Sequence, residues 1–215
     1  MADTTVVYFT SNREKEDFEG RIRRTLLRTI GTLPLISISQ KPIDLGINIC
    51  VGELEASTAN ALRQIQLGVA AATTQFVTLA ESDYLYPREY FRFKPTRDDT
   101  AYLATPIYVC FAQHHKAKFF ALKRGNADSA MIAGRQCLVD GIEEILQKYA
   151  TTPSTLHFAH LLKLFRLEKI TLPIPAVTFK TDENMHRKSP FSRTRVCTEL
   201  PDWGTAHDLI RKYLG

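Results

Sequence analysis

Glu81-Ser82-Asp83 is the segment of this 215-residue chain whose residue types and spacing most directly suggest chemistry. Two carboxylates with one residue between them can share a divalent cation whose other positions are completed by diphosphate oxygens and water. Such an ion would offset the charge gathering on a departing nucleoside diphosphate. The triplet follows Gln75 to Ala80 (QFVTLA), an apolar run that reads as a strand. In an open parallel sheet, ligands bind beyond the carboxyl ends of the strands, so the position is informative. The competing reading is that the two acids merely end the strand and lead into the turn at Tyr86-Pro87.

The elements needed to position the triplet are legible upstream. Thr5 to Phe9 (TVVYF) is a β-branched and aromatic run, and Thr10-Ser11-Asn12 can turn the chain and cap a helix. That helix is predicted over Glu14 to Ile30, with Phe18, Ile22, Leu26 and Ile30 on one face and Gly31 ending it. Leu35 to Ser39 reads as a second strand, followed by an irregular stretch. A helix is predicted from Thr58 to Ala72 with Ser57 as N-cap, presenting Asn60, Arg63 and Gln64 as one polar edge. The rhythm of strands joined by helices predicts an α/β layer with a parallel sheet covered on both faces.

Beyond Tyr90 the texture changes. AYLATPIYVCFA and KFFALK predict antiparallel strands, then helices over Gln136 to Tyr149 and Ser154 to Leu167, a strand at Ala176 to Phe179 and a last helix from Thr205. Trp203 before that helix reads as a packing anchor. The economical organisation is a single domain of residues 1–215, with residues of about 1–92 as one half and about 93–215 as a more variable second half.

The formal charge is +5, from 28 Lys+Arg against 23 Asp+Glu. Four arginines fall within Arg21 to Arg28, and five Lys/Arg against two acids within Lys180 to Arg195. Clustered cations suit phosphates or nucleic acid; a solvated helix face and an exposed loop are the plainer reading. Cys50, Cys110, Cys137 and Cys197 lie far apart, without zinc-site spacing, and read as free thiols. The N-terminus lacks a signal-peptide core and no run approaches the roughly 20 apolar residues that span a bilayer, so a cytoplasmic protein without membrane contact is expected. The phosphate-loop, dinucleotide-fingerprint, nucleophile-elbow and Cys-x-x-Cys patterns are absent from the sequence.

The order strand, helix, irregular segment, strand, long helix, then QFVTLAESDYLYPREYF resembles the nucleotide-sugar half of A-type-fold glycosyltransferases, closest to their family 2-like members. The resemblance covers residues of about 4–92 and is weak downstream. It implies a GT-A-type, Rossmann-like nucleotide-sugar sheet with a smaller antiparallel and helical acceptor half. It implies manganese or magnesium held by Glu81 and Asp83, with Glu81 standing where the family commonly has Asp, and a late histidine, here His186, as a further ligand. Thr10, Ser11 and Arg13 after the first strand, Gln40 after the second, and Asn60, Arg63 and Gln64 fall at nucleotide-holding positions. Lys180 and Lys188 of the basic loop fall where a diphosphate would be covered. The base that takes the acceptor proton usually comes from the second half, which puts forward Asp128, then Asp99 and His157.

The function so implied is transfer of a sugar from a UDP-type nucleotide-sugar to a hydroxyl. The acceptor favoured by compact size and basic patches is a hydroxymethylated pyrimidine in DNA, as in phage enzymes of similar layout acting in the host cytoplasm. A saccharide acceptor is the alternative, followed by a nucleotidyltransferase of the same fold and then a non-catalytic nucleic-acid-binding protein. The sugar, the stereochemical outcome and the oligomeric state have no signature in the sequence.

Overall fold

A computed structural model describes residues 3–111, 118–125, 128–181, 183 and 191–215, the side chains of Asp128 and Arg193 excepted. The first half comprises β1 (Thr4–Phe9), α1 (Glu16–Ile30), β2 (Leu35–Ser39), β3 (Ile47–Cys50), α2 (Thr58–Ala71) and β4 (Phe76–Glu81). It continues through β5 (Tyr84–Leu85) and α3 (Arg88–Arg92). The second half contains β6 (Thr100–Phe111), β7 (Phe119–Lys123), β8 (Met131–Gly134), α4 (Arg135–Lys148), α5 (Phe158–Leu162) and β9 (Arg166–Lys180). β10 (Phe191–Cys197), the short pair β11 (Glu199–Leu200) and β12 (Gly204–Thr205), and α6 (Ala206–Leu214) complete it.

One 10-stranded sheet runs in the order β10-β7-β6-β8-β4-β1-β2-β3, with β9 alongside β6 and β5 on β9. β4, β1, β2 and β3 are mutually parallel. β8 joins β4 antiparallel and carries the sheet into β6 and β7. The fold is therefore the expected mixed α/β one, a Rossmann-like parallel part with an antiparallel extension.

The alternation along β1 shows why both faces are covered. Val7 and Phe9 join Ile38, Leu62, Ile65, Leu138 and Ile142 in the core under α2 and α4. Val6 and Tyr8 join Leu26, Ile30, Tyr90 and Ile132 on the face covered by α1 and α3. α2 seats close because it carries Gly68, where an added Cβ would come within 2.6 Å of a Val7 methyl. Ser57 caps α2 as expected, its hydroxyl accepting from Asn60 N–H. α6 begins after Thr205, whose hydroxyl accepts from Asp208 N–H, and Trp203 anchors the preceding turn by donating its indole N–H to Pro175 O at 2.7 Å.

Four expectations are corrected. Thr10-Ser11-Asn12 turns the chain but does not cap α1, whose N-cap is Lys15. β3 lies inside the stretch expected to be irregular; it is an edge strand, with Ile47 68% exposed, and so lacks the apolar signature of a buried one. Met131–Gly134, short and unforeseen, is the strand that joins the two halves. Helix is confined to Phe158–Leu162 within the predicted Ser154 to Leu167, because Arg166 already opens a 15-residue strand that pairs in parallel with Thr100 onward.

Candidate active site

The parallel register decides which residues meet. Phe9 lies opposite Ile38 on one side and Glu81 on the other, so β1, β2 and β4 end side by side. The segments that follow, Thr10 to Asn12, Gln40 and Glu81 to Asp83, share that edge of the sheet. A small pocket there is lined by Thr10, Ser11, Gln40, Asn60, Gln64 and Glu81, which are six of the expected site residues. It opens beside a larger cavity of about 970 Å³ lined by Arg63, Glu81, Asp83, Lys180 and His157.

The pocket is built by polar side chains that clasp backbone. Asn12, in a left-handed conformation at φ 49°, accepts from the backbone N–H groups of Gln40 and Lys41 at 2.8 and 2.9 Å. Asn is among the residues that tolerate this conformation. Gln40 accepts from Leu54 N–H at 3.2 Å, and Arg13 donates to Leu54 O at 3.3 Å, so both hold the loop after β3. Asn60 donates to Glu55 O and accepts from Arg63, which ties up the polar edge of α2. The Gln64 Nε2 donor is buried and has no hydrogen-bond partner among the described residues, although it faces the pocket. A buried amide donor left unpaired is costly, and an acceptor atom on a ligand would satisfy it.

Behind Thr10 lies an acid that the sequence did not single out. Glu19 on α1 is 1% exposed and accepts from Thr10 Oγ1 at 2.8 Å and from Arg23 at 3.3 Å. Burial pushes its carboxyl up to about 7, outweighing the opposite pull of the Thr10 hydroxyl and the Arg23 charge. Glu19 sits beside Phe18 and three residues before Ile22, on the flank of the apolar stripe, a signal that the acid-rich first turn conceals. Arg23 also pairs with Glu16, Arg21 donates to Lys212 O and Gly215 O, and Arg28 donates to Thr25 Oγ1, so three of the four arginines of the basic stretch are engaged within the chain.

The triplet itself is fixed from behind. Glu81 N–H donates to Tyr86 Oη at 2.9 Å, Tyr86 donates to Ser129 O at 2.6 Å, and Ser129 Oγ donates to Glu81 Oε2. Tyr84, Tyr86 and Tyr90 form a buried stack with centroids 5.3 and 5.1 Å apart. Burial raises all three phenols, that of Tyr84 to about 12. Asp83 O accepts from Phe179 N–H at 2.9 Å, which binds the triplet to β9. Lys123 at the end of β7 donates to Tyr84 Oη at 2.9 Å and lines the cavity, as does Lys180 at the end of β9. Ser129 and Lys123 carried no motif that sequence reading could have used.

The base candidates separate. His157 stands on the cavity wall together with Tyr149 and Phe158. Asp99 does not meet the triplet. It is exposed, paired with Arg97 at 2.6 Å, and precedes β6. Its neighbour Asp98 packs against Gly134 opposite Phe76, at the far end of β4 from Glu81. The Asp128 backbone begins a 3-10 turn that also contains Ser129; its side chain, and all of His186 and Lys188, lie outside the described residues.

Glu81 and Asp83 are, among the described residues, the expected donors to a divalent ion. Among the described residues no group of three or more His, Cys, Asp or Glu side chains able to hold a metal occurs. Glu81 is held at Oε2 by Ser129, and two lysines share the cavity with the acid pair. Glu81 and Asp83, with His186 outside the described residues, are the residues that would hold such an ion, and no step below is routed through one.

No family model matches the chain, and no curated protein matches it in sequence. The fold does have solved counterparts. GlyE, a glycosyltransferase of Streptococcus pneumoniae TIGR4, superposes with TM-score 0.56 and 10% identity over 98% of this chain and 60% of its own. The inositol-1-phosphate CTP transferase of T. maritima gives 0.52 and 8% over 84% of this chain and 90% of its own. S. aureus TarS 1-349 in complex with UDP-GlcNAc gives 0.50 and 12% over 84% and 59%. The chain thus spans about 60% of the two glycosyltransferases. At these identities the likeness establishes a shared fold, the one common to A-type glycosyltransferases and to nucleotidyltransferases.

Proposed function

We propose that this chain is a glycosyltransferase that binds a nucleotide-sugar, with UDP as the nucleotide, at the ends of β1, β2 and β4 and passes the sugar to an acceptor hydroxyl in the adjoining cavity. The observation that carries this is the convergence of Thr10, Gln40 and Gln64 with Glu81 and Asp83 in one cleft that continues to His157 on a separate wall. The pocket would take the nucleoside, with Gln64 Nε2 free to donate to a base or ribose oxygen. In the transfer, the acceptor oxygen bonds to the anomeric carbon, the carbon–phosphate oxygen bond breaks with its electron pair going to the nucleoside diphosphate, and His157 takes the acceptor proton. TarS, of the same fold, was solved with UDP-GlcNAc, which supports the choice of nucleotide.

For the acceptor, a hydroxymethylated pyrimidine in DNA remains the first compound to try on the strength of the net basic charge. The engagement of Arg21 and Arg23 within the chain favours the second reading, a saccharide, whose ring face suits Tyr149 and Phe158. A nucleotidyltransferase is the competing reaction, since the T. maritima CTP transferase shares the fold. Those enzymes usually present a glycine-rich basic loop after the first strand, and Thr10-Ser11-Asn12-Arg13 has no glycine.

The test is calorimetric titration with UDP, GDP and CTP, followed by assay of UDP release from UDP-sugars. Preference for UDP and slow UDP release is the expected result. Pyrophosphate release from CTP with a sugar phosphate would transfer the assignment to the nucleotidyltransferases, and failure to bind any nucleotide would remove it.

A further inference from the structure

We propose that Glu19 is the positioning residue of the nucleotide pocket, acting through Thr10 and Asn12 to set the turn after β1 against the end of β2, an inference that rests on the nucleotide-sugar reading above. Acids are almost never fully buried unless paired. Glu19 is 1% exposed, and Thr10, which donates to it, is 2% exposed. The Thr10 hydroxyl has one proton, and giving it to Glu19 Oε1 turns a lone pair toward Asn12 N–H, which donates to it at 2.9 Å. The second carboxyl oxygen accepts from Arg23 at 3.3 Å and from the Asn12 side-chain amide at 3.5 Å. Because that oxygen meets the NH2 end of the amide, the carbonyl end faces β2, where it accepts from the Gln40 and Lys41 N–H groups. Gln40 in turn holds Leu54 in the loop after β3. One side chain on α1 thus fixes the ends of two strands, and Thr10, Ser11 and Gln40 line the pocket in front of it.

The role asks for an acceptor of this length rather than for a negative charge. Burial keeps the Glu19 proton in place up to about 7, against the Thr10 hydroxyl and the Arg23 charge, with Glu16 and Glu14 adding to the upward push. Tyr8 on β1 also faces it, and burial, then the charge of Glu19, hold that phenol well above its usual range. A neutral carboxyl and a glutamine amide offer Thr10 the same carbonyl oxygen. Leucine fills the same space and offers none, while Arg23 keeps Glu16 as its partner. Without an acceptor at Glu19, the buried Thr10 proton has to find another one, and the hydroxyl turns away from Asn12 N–H. The effect on the pocket therefore has to pass through Thr10, which packing of α1 alone does not require.

The experiment measures UDP and uridine affinity by calorimetry, with manganese present throughout, beside thermal melting of the full chain. The proteins compared are the native one, Glu19→Gln, Glu19→Leu, Thr10→Val, and Glu19→Leu combined with Thr10→Val. Glu19→Leu should weaken UDP and uridine alike by roughly 10-fold, the worth of one well-placed hydrogen bond, since Thr10 and Gln40 shape the nucleoside end of the site. Thr10→Val should show the same loss, and the combined variant should bind no more weakly than the worse single one, because both act along one path. Glu19→Gln should stay within about threefold of the native affinity, well inside the loss of a full hydrogen bond. Unchanged affinity in Glu19→Leu, whatever its melting temperature, overturns the inference and leaves the acid a packing role. So do losses that add in the combined variant, and a Glu19→Gln defect as large as that of Glu19→Leu. Thr10→Val tests the same path without touching the helix, so unchanged binding there overturns the inference even where Glu19→Leu does not fold. Failure of the native chain to bind UDP or uridine would overturn the donor reading itself, a result distinct from native binding that the variants leave intact.

Discussion

The two walls of the cleft are made differently. On the proposed nucleotide side, Asn12, Gln40, Arg13 and Asn60 each make hydrogen bonds to backbone groups, and Glu19 stands buried behind Thr10. On the opposite side, α4 and α5 are held by Leu138, Ile142, Ile145 and Leu161 packing on the sheet, and the wall facing the cavity is Tyr149, Leu156 and Phe158 with His157. Directional bonds fix a small polar pocket to within a fraction of an ångström, whereas apolar packing fixes a surface but leaves its chemistry open to substitution. A fold that keeps one nucleotide and varies its acceptor would be expected to divide its interactions in this way.

Breaking the catalytic side should cost turnover alone. His157→Ala is expected to lower kcat by roughly 100-fold or more, the usual contribution of a general base, with UDP affinity unchanged. Steady-state kinetics beside calorimetry check it, and an equal loss of UDP affinity would show that the two walls are not independent. Breaking the polar side should cost stability and binding together. Asn12→Ala strands the N–H groups of Gln40 and Lys41 and leaves alanine at a positive φ, and should lower the unfolding free energy by about 2–4 kcal/mol in urea titration. UDP affinity should fall with it.

The smallest effect sharpens the comparison through pH. Glu19 holds its proton up to about 7 in the folded chain against an ordinary value of 4.5, so the folded state binds more protons than the unfolded one between those limits. Its contribution is therefore fully present below pH 4.5, is lost as pH rises towards 7, and is constant above. The decline should amount to about 3 kcal/mol at most, since each pKa unit corresponds to about 1.4 kcal/mol. Stability curves of Glu19→Gln across this range should lack the decline; if they follow the native curve, Glu19 is not the titrating group.

How far the sequence reaches can be judged from these same residues. The ends of β2 and the start of α2 were readable because Leu35 to Ser39 is fully buried and Ser57 caps by a local rule. Gln40, Gln64 and the acid pair were readable because a parallel sheet brings its strand ends together whatever their separation along the chain. β3 and β8 were not readable, since a four-residue strand draws its identity from its partners. Lys123 reaches the site through pairing across the antiparallel half and Ser129 through the 3-10 turn that leads into β8, long-range placements with no local motif. Asp99 shows the converse, a carboxylate of suitable type placed by topology at the wrong end of the sheet.

The pairing of β8 with β4 has a consequence for cutting the molecule. Because Phe76, Val77 and Thr78 lie opposite Gly134, Ala133 and Ile132, the nucleotide half owns no closed sheet border of its own on that side. A fragment ending near residue 92 would present the β4 border as a row of unmet peptide groups flanked by Val77 and Leu79, an invitation to self-association. The halves of the sequence are thus expected to fold together, and melting should be a single cooperative event shared by both.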